Sequence, residues 1–555
     1  MVAGARTFTL EDTLLEPQVL NPPPTRHALF AFLLALAAVV HIGTASWGDL
    51  YDGVEGQLAG GAREMVEAQQ WLVPANNGVP LLQTPPLVSW MIALSYKVFG
   101  VTATAARLPI ALAMVASVAL TFLIGERLAG YWRGFAAGLV HLCSGGAFLL
   151  GRMVTHDSVF AVFIAGAMYC AVCGYQRRKF RWVWFIGFWL CASLACLTKG
   201  PAAILYLAGV CLLLAIFFRE ARLRFRLLLH WPYLLLFLSV AAPWFIWAHI
   251  HFPEFLSHSL SWETERLPCW QFLALHFAWW FPAIFLIPPG LLFAPRKIIR
   301  LHEMTFADSL PLCWAGVAIL PLLVMGGRAA YSSMSAWPAF ALFAACAWER
   351  TSRRFRIAGI ALVLFAGIAM AATACFTPSI LNALTGHVIP DAAWLSLRPM
   401  AQIAILSLLI LSLPALYFAT KDRAEIALFL MLGSMVPIGF CLAESASRVA
   451  PFFSLAEAAQ FLNPRLGQNG EVLYEGPLRT GNSLSFYLNK KFFLVNQTPG
   501  SFEKDAALQN KYLDEPFVLE AWDRSNPIYF IIEEDRVSHW RTLITDRVHI
   551  YHQVT

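Results

Sequence analysis

The sequence predicts a polytopic α-helical membrane protein that ends in a small soluble α/β domain. Three observations carry that prediction. Of 555 residues, 58% are apolar and only 13% are charged, against about 25% charged in soluble domains. Apolar runs of spanning length recur from about residue 28 to residue 443. From about Ser445 the composition turns polar and the apolar runs shorten. The net charge of +6 does not point to nucleic acid, because the basic residues sit in short clusters between apolar runs.

Residues 1–27 have no apolar core and no small-residue cleavage site, so a cytoplasmic N-terminal segment is expected, with the first span as an uncleaved anchor. A spanning helix needs about 20 mainly apolar residues. Thirteen runs are taken as spans: 28–46, 104–125, 134–150, 158–175, 182–198, 201–218, 231–249, 271–294, 308–325, 335–348, 357–376, 399–418 and 425–443. The short 87–99 run reads as a re-entrant or interfacial segment. With the N-terminus inside, Lys and Arg up to residue 443 fall 21 inside to 8 outside. Cytoplasmic loops carry that excess. The same orientation puts 47–87, 151–157, 198–201, 251–270, 326–334 and the C-terminal segment on one outer face.

The expected organisation is therefore a transmembrane domain over 28–444, with a first outer loop over 47–103, and an outer-face α/β domain over 445–555. In the latter, Leu455, Ala458, Ala459 and Leu462 have helical spacing, and GEVLYEG, SLSFYL, FFLV, PFVLEAW and PIYFIIEED read as short strands. Eleven cysteines are present, none after Cys441. Most lie in apolar runs, where a thiol behaves as a small hydrophobe. Cys170-x-x-Cys173 has no second pair nearby, so neither a zinc site nor a disulfide framework is expected.

The first outer loop holds five acids within nineteen residues: Asp49, Asp52, Glu55, Glu64 and Glu67. Acids beside a membrane span need water, a cation or a basic partner. Leu58, Ala62, Met65, Val66 and Leu72 recur at helical spacing, which predicts an amphipathic helix lying in the interface. Asp52-x-x-Glu55 resembles a capping box, and that role stands level with catalysis. Gln83–Pro86 forms a rigid approach to the next apolar run. Asp157 and His156 sit at the outer junction of two spans, where Asp157 is either a helix cap or a partner of Asp52 and Glu55 around a cation or hydroxyl. Lys199 stands at another junction without an adjacent acid in sequence. His258, Glu263, Glu265 and Arg266 follow on the next outer loop, then Arg328 and Tyr331. Each basic residue alone suits a headgroup; together, on one face with the acids, they suit a bound phosphate.

At these residues the chain resembles the GT-C membrane glycosyltransferases that use polyprenyl-phosphate sugars, in the branch of lipid A aminoarabinose transferases and protein O-mannosyltransferases. The family's first loop runs D-E-x-R-Y-A-E-x-A-R-E-M, W-x-V-P, N-G, K-P-P-L, FG and A-A-R-L-P. Here VEGQLAGGAREM, WLVP, NNGVP, TPPL, VFG and AARLP follow in the same order, and THDSVF, LTKGP and the 328–338 region match later positions. Two departures stand out. The family's aspartate falls on Val54 with the next acid kept as Glu55, and its Glu-Lys before Pro-Pro falls on Gln83-Thr84.

The resemblance implies an inverting enzyme that transfers a sugar from an outer-leaflet polyprenyl phosphate to a lipid, glycan or protein acceptor, in a bacterial inner membrane. A carboxylate among Asp52, Glu55 and Asp157 is the expected general base. Lys199, Arg266, Arg328, Tyr331, Gln83 and His258 are the expected lipid-phosphate and substrate ligands. A divalent metal ion is the candidate cofactor, with no ligands assigned. The alternatives are a transporter or lipid flippase, or a catalytically degenerate relative.

Overall fold

The computed structural model describes residues 24–177, 179–253, 267–286, 304–325, 328–376, 391–499, 509–522 and 526–544. Arg266 and His258, expected at the site, lie outside them. The fold is polytopic and helical. Among the described residues, eight helices are long and apolar enough to cross a membrane: Ala103–Ala129, His156–Gln176, Arg181–Lys199, Trp231–His251, Phe306–Val324, Arg353–Ala372, Trp394–Thr420 and Ala424–Phe453. Thr25–His41, Leu87–Phe99 and Ala202–Phe217 are apolar but shorter.

Differences from the expected spans have local causes. The 134–150 run is two helices, Tyr131–Leu142 and Gly145–Leu150. Ser144 Oγ donates to the His141 carbonyl at 2.9 Å, and the Gly145 N–H turns away to the Phe281 carbonyl at 2.9 Å. The ladder is therefore interrupted where the sequence stays apolar. Helix Ala103–Ala129 is well defined at both ends: Thr102 caps it by accepting the Ala105 N–H at 3.1 Å, and Gly130 ends it at φ 93°.

Close approach of backbones holds the bundle. A Cβ on Gly125 would lie 2.8 Å from Gly134 Cα, so Ala103–Ala129 and Tyr131–Leu142 cross on paired glycines, as small residues allow in membrane helices. One core gathers Phe160, Ile164, Met168, Trp189 and Trp314. A second gathers Leu33, Phe122, Phe135, Trp348 and Met431.

The C-terminal segment contains a four-stranded parallel sheet. Its spatial order is Tyr512–Leu513, Phe493–Val495, Glu471–Glu475, Ile528–Ile531. The SLSFYL and PFVLEAW runs, expected as strands, belong to helices Asn482–Tyr487 and Glu515–Trp522. Parallel strands need crossover connections: Asn482–Tyr487 lies in the one between Glu471–Glu475 and Phe493–Val495, and Glu515–Trp522 in the one from Tyr512–Leu513 to Ile528–Ile531 on the opposite edge. They cover opposite faces: Leu484 packs with Val472 and Leu494 on one, and Val518 with Leu473 and Val495 on the other.

The first loop docks on this segment. Its helix, Val54–Glu67, turns its apolar face to protein, where a lipid cover was expected. Leu58, Ala62 and Met65 are buried against Val88, Ile92, Tyr96 and Phe486, while Leu72 falls outside the helix and is exposed. Gly56 marks the closest approach: a Cβ there would meet the Ser483 nitrogen at 2.6 Å. Gly56→Val should therefore prise the two apart. Limited trypsin digestion of the purified protein should then cut at Arg465 faster than in wild type; unchanged digestion would show that the contact is not required.

Candidate active site

The turn from Trp47 to Gly53 is held from two directions. From the membrane side, Arg107 near the start of Ala103–Ala129 donates to the carbonyls of Trp47, Gly48 and Asp49 at 2.9, 2.8 and 2.7 Å. The same guanidinium grips Glu55 with both arms, at 2.9 Å to Oε1 and 3.2 Å to Oε2. The two side chains are only 2% and 1% exposed. Glu55 also accepts the backbone N–H of Tyr51 at 2.9 Å and of Val154 at 3.1 Å. An ionised carboxylate has about four lone-pair sites, and these four contacts use them. Glu55 is thus a clamp, and it is not open to a substrate hydroxyl. The expected capping box does not form: Gly53 is the N-cap and no side chain caps the helix.

From the C-terminal side, the Asp52 N–H donates to the Phe453 carbonyl at 2.7 Å and the Gly53 N–H to the Arg479 carbonyl at 3.0 Å. Asn482 Nδ2 donates to the Gly53 carbonyl at 2.9 Å. The Ser483 N–H donates to Asp52 Oδ1 at 2.8 Å. Asp52 lies in the wall of a cavity of about 1750 Å³, with Arg107, Arg152, Trp394, Phe453 and Tyr474. Burial pushes its carboxyl up to about 7, although the Ser483 hydrogen bond pulls the other way. A group that exchanges its proton near neutral pH suits general acid–base work.

Asp157 does not join these acids. It is buried at the start of His156–Gln176 and accepts from Lys199 Nζ at 2.6 Å. The expected cluster of Asp52, Glu55 and Asp157 around a cation is replaced by three separate partner sets. Among the described residues, no three His, Cys, Asp or Glu side chains group to hold a metal ion. Lys199, which lacks an acid nearby in sequence, has one in space. Next to this pair, Thr84 Oγ1 is 2.8 Å from His156 Nε2, so the position where the family carries lysine is used for a hydroxyl contact. Gln83 is exposed.

Arg328 is spent on backbone. It donates to Leu267, Leu322 and Leu323 carbonyls at 2.8, 3.3 and 3.2 Å, the last two near the end of Phe306–Met325. Tyr331 packs beside Met114, Leu150 and Trp337. Neither these residues nor Lys199 lines the cavity that holds Asp52.

Sequence reading missed two arginines. Arg107 sits inside an apolar helix, and a charge there is costly unless paired; that was the available signal. Arg152 donates to the Ala443 carbonyl at 2.6 Å and to Trp47 while lining the cavity beside Asp52. Nothing local in GRMVTHD marks it out from Lys199 or Arg266.

Comparison with known proteins agrees with this architecture. The family described as dolichyl-phosphate-mannose-protein mannosyltransferase matches residues 83–247. An uncharacterised protein of Aquifex aeolicus is 27% identical over 293 residues, 52% of this chain and 58% of that protein. An undecaprenyl phosphate-alpha-4-amino-4-deoxy-L-arabinose arabinosyl transferase of Proteus mirabilis is 22% identical over 284 residues, 48% of this chain and 50% of the relative. The chain thus matches about half the length of these curated relatives. Crystallised ArnT from Cupriavidus metallidurans bound to undecaprenyl phosphate superposes with a TM-score of 0.80 at 19% identity, covering 94% of this chain and 96% of that one. The chain shares the overall fold of that crystallised protein.

Proposed function

We propose that this protein is a GT-C glycosyltransferase that moves a sugar from a polyprenyl-phosphate donor to an acceptor hydroxyl, with Asp52 as general base. The observation that carries this reading is Asp52 itself: a carboxyl held near neutral pKa in the wall of a large cavity, in a fold shared with a transferase crystallised with undecaprenyl phosphate. The relatives named as aminoarabinose transferases favour a pentose donor.

In the proposed step, the acceptor oxygen attacks the anomeric carbon while Asp52 takes the hydroxyl proton. The bond between that carbon and the phosphate oxygen breaks, and its electron pair leaves with the polyprenyl phosphate. Attack opposite the leaving group inverts the anomeric centre. Arg152, on the cavity wall, supplies positive charge where the phosphate dianion develops. Glu55 and Arg107 keep the turn that carries Asp52 in place. Among the described residues no three His, Cys, Asp or Glu side chains group to hold a metal ion.

The test is direct. Purified protein in nanodiscs is offered undecaprenyl-phosphate aminoarabinose and other polyprenyl-phosphate sugars together with envelope glycolipids. Free undecaprenyl phosphate should appear with one donor. No release from any donor by folded protein would sink the proposal.

Lys199 is proposed as a second phosphate contact, and its pairing with Asp157 allows the two roles to be separated. Lys199→Met should lower the melting temperature, since it leaves a buried carboxyl unpaired, at a cost of about 1–3 kcal/mol. Adding Asp157→Asn should restore it. If Lys199 also holds phosphate, the donor KM stays raised in the double variant; a KM that recovers with stability leaves Lys199 a structural role.

The same reading places the protein in a bacterial inner membrane with the N-terminus cytoplasmic and the first loop and C-terminal segment periplasmic. Single cysteines at Gln70 and Gln468, both exposed, should be labelled by an impermeant maleimide in intact spheroplasts. Labelling only after lysis would reverse the orientation.

A further inference from the structure

The first loop has a second attachment to the C-terminal segment, made by a hairpin. Strands Ala75–Asn76 and Val79–Pro80 pair antiparallel, and the turn residues between them, Asn77 and Gly78, have φ of 51° and 77°. Asn-Gly suits such a turn, which needs positive φ at both positions. Asn77 seats the hairpin. Its Nδ2 donates to the Phe492 carbonyl at 2.9 Å, and its Oδ1 accepts the Phe492 N–H at 3.1 Å. Asn76 is left buried against Asn482, to which its Nδ2 donates at 2.6 Å.

This contact has a direction. Asn482 Nδ2 also donates to the Gly53 carbonyl at 2.9 Å. A carbonyl only accepts, so Asn482 must turn its NH2 to Gly53 and its oxygen to Asn76. Asn76 must then present NH2. Its own Oδ1 makes no hydrogen bond and rests on helix Val54–Glu67, where a Cβ on Gly60 would lie 2.4 Å from it. A half-turn of the Asn482 amide would set oxygen against oxygen at Gly53 and NH2 against NH2 at Asn76. With Asn76 in place, that state is closed. Without its donor, the Asn482 oxygen would be buried and unpaired, a cost that turning the amide relieves. Ser483, the residue that follows, is the one whose N–H reaches Asp52 Oδ1.

We propose that Asn76 is a positioning residue for the transfer reaction. By donating to Asn482 it fixes which end of that amide faces Gly53, and so holds Asp52 against Ser483. The two neighbouring asparagines then have separate tasks: Asn77 docks the hairpin, and Asn76 orients the amide that grips the turn of the base. This rests on the function proposed above, with Asp52 as base, and adds a residue that touches neither substrate nor Asp52.

The experiment uses the full-length protein in nanodiscs. Asn76→Leu keeps the approximate shape and removes the donor. It should lower kcat by roughly 10–100-fold, the scale set by a misplacement of about 1 Å, with the donor KM and the melting shift produced by undecaprenyl phosphate unchanged. The deciding arm is the double variant. A residue that acts through the base has nothing left to position in Asp52→Asn, so adding Asn76→Leu should not lower the residual rate further. A wild-type kcat, a donor KM that rises as kcat falls, or the same loss repeated in the Asp52→Asn background overturns the positioning role alone. Normal transfer by Asp52→Asn would instead overturn the underlying function. Gly60→Ala reaches the same amide without removing it: the new Cβ must push Asn76 Oδ1, while alanine favours the helix over glycine. It should lower kcat with KM unchanged, and should do so even if Asn76→Leu fails to fold; an unaltered kcat in folded Gly60→Ala would count against Asn76.

Discussion

Asp52→Asn is expected to lose sugar transfer by about 10²–10⁴-fold, the usual cost of removing a general base, and to remain folded. The amide oxygen can still accept the Ser483 N–H that now reaches Asp52 Oδ1 at 2.8 Å, so the turn keeps its anchor. The base must be ionised, and its carboxyl sits at about 7. Wild-type turnover should therefore climb as pH rises through 7 and level off above it. Stability should move the other way. A carboxylate titrates near 3.9 in the unfolded chain, so the folded state holds this proton more tightly, and stability falls between about pH 4 and 7. Asp52→Asn removes that loss and should melt higher than wild type at pH 8. Near-normal transfer by the folded variant would end the case for Asp52.

Glu55→Gln is expected to fail differently. The carboxylate is buried and shared by four donors, two of them on a guanidinium that is itself 2% exposed. Removing one partner of a buried ion pair costs about 3–5 kcal/mol, because the other charge is left uncompensated. The variant should show a large drop in melting temperature together with loss of activity, and poor yield in detergent. A well-folded, inactive Glu55→Gln would instead mean that Glu55 meets substrate, and would overturn its assignment as a clamp.

The contrast between these two acids shows what the sequence could and could not tell. Composition and apolar runs sufficed for a membrane bundle, because spanning helices must satisfy their backbone internally whatever they pack against. The motif order from VEGQLAGGAREM to AARLP pointed to the right fold type. Roles within the motifs were not legible. Asp52 and Glu55 stand three residues apart, yet one faces Ser483 and the other Arg107, and only the packed structure separates them. The amphipathic helix was recognised, but its cover was taken to be lipid, because nothing in residues 54–67 announces a docked Asn482–Tyr487. Lys199 looked unpaired, since Asp157 precedes it by 42 residues and two helix ends must meet to bring them together. SLSFYL and PFVLEAW have strand-like composition, and the parallel order of the sheet, a long-range property, makes them helices.

The hydrogen bond from Ser483 to Asp52 also sets a clock. The two residues are 431 positions apart, and at ribosomal rates of about 5–20 residues per second roughly 20–90 seconds separate their synthesis. During that interval the loop is already made while its partner is not. Asp52 then stands in water and titrates as an ordinary aspartate, unsuited to take a proton from an alcohol at neutral pH. On the proposed function, a nascent or truncated chain that inserts its helices should still be chemically silent. If Asp52 is the base, a chain becomes competent only after its C-terminal segment has closed on the loop, so activity waits on that docking and not on insertion of the helices.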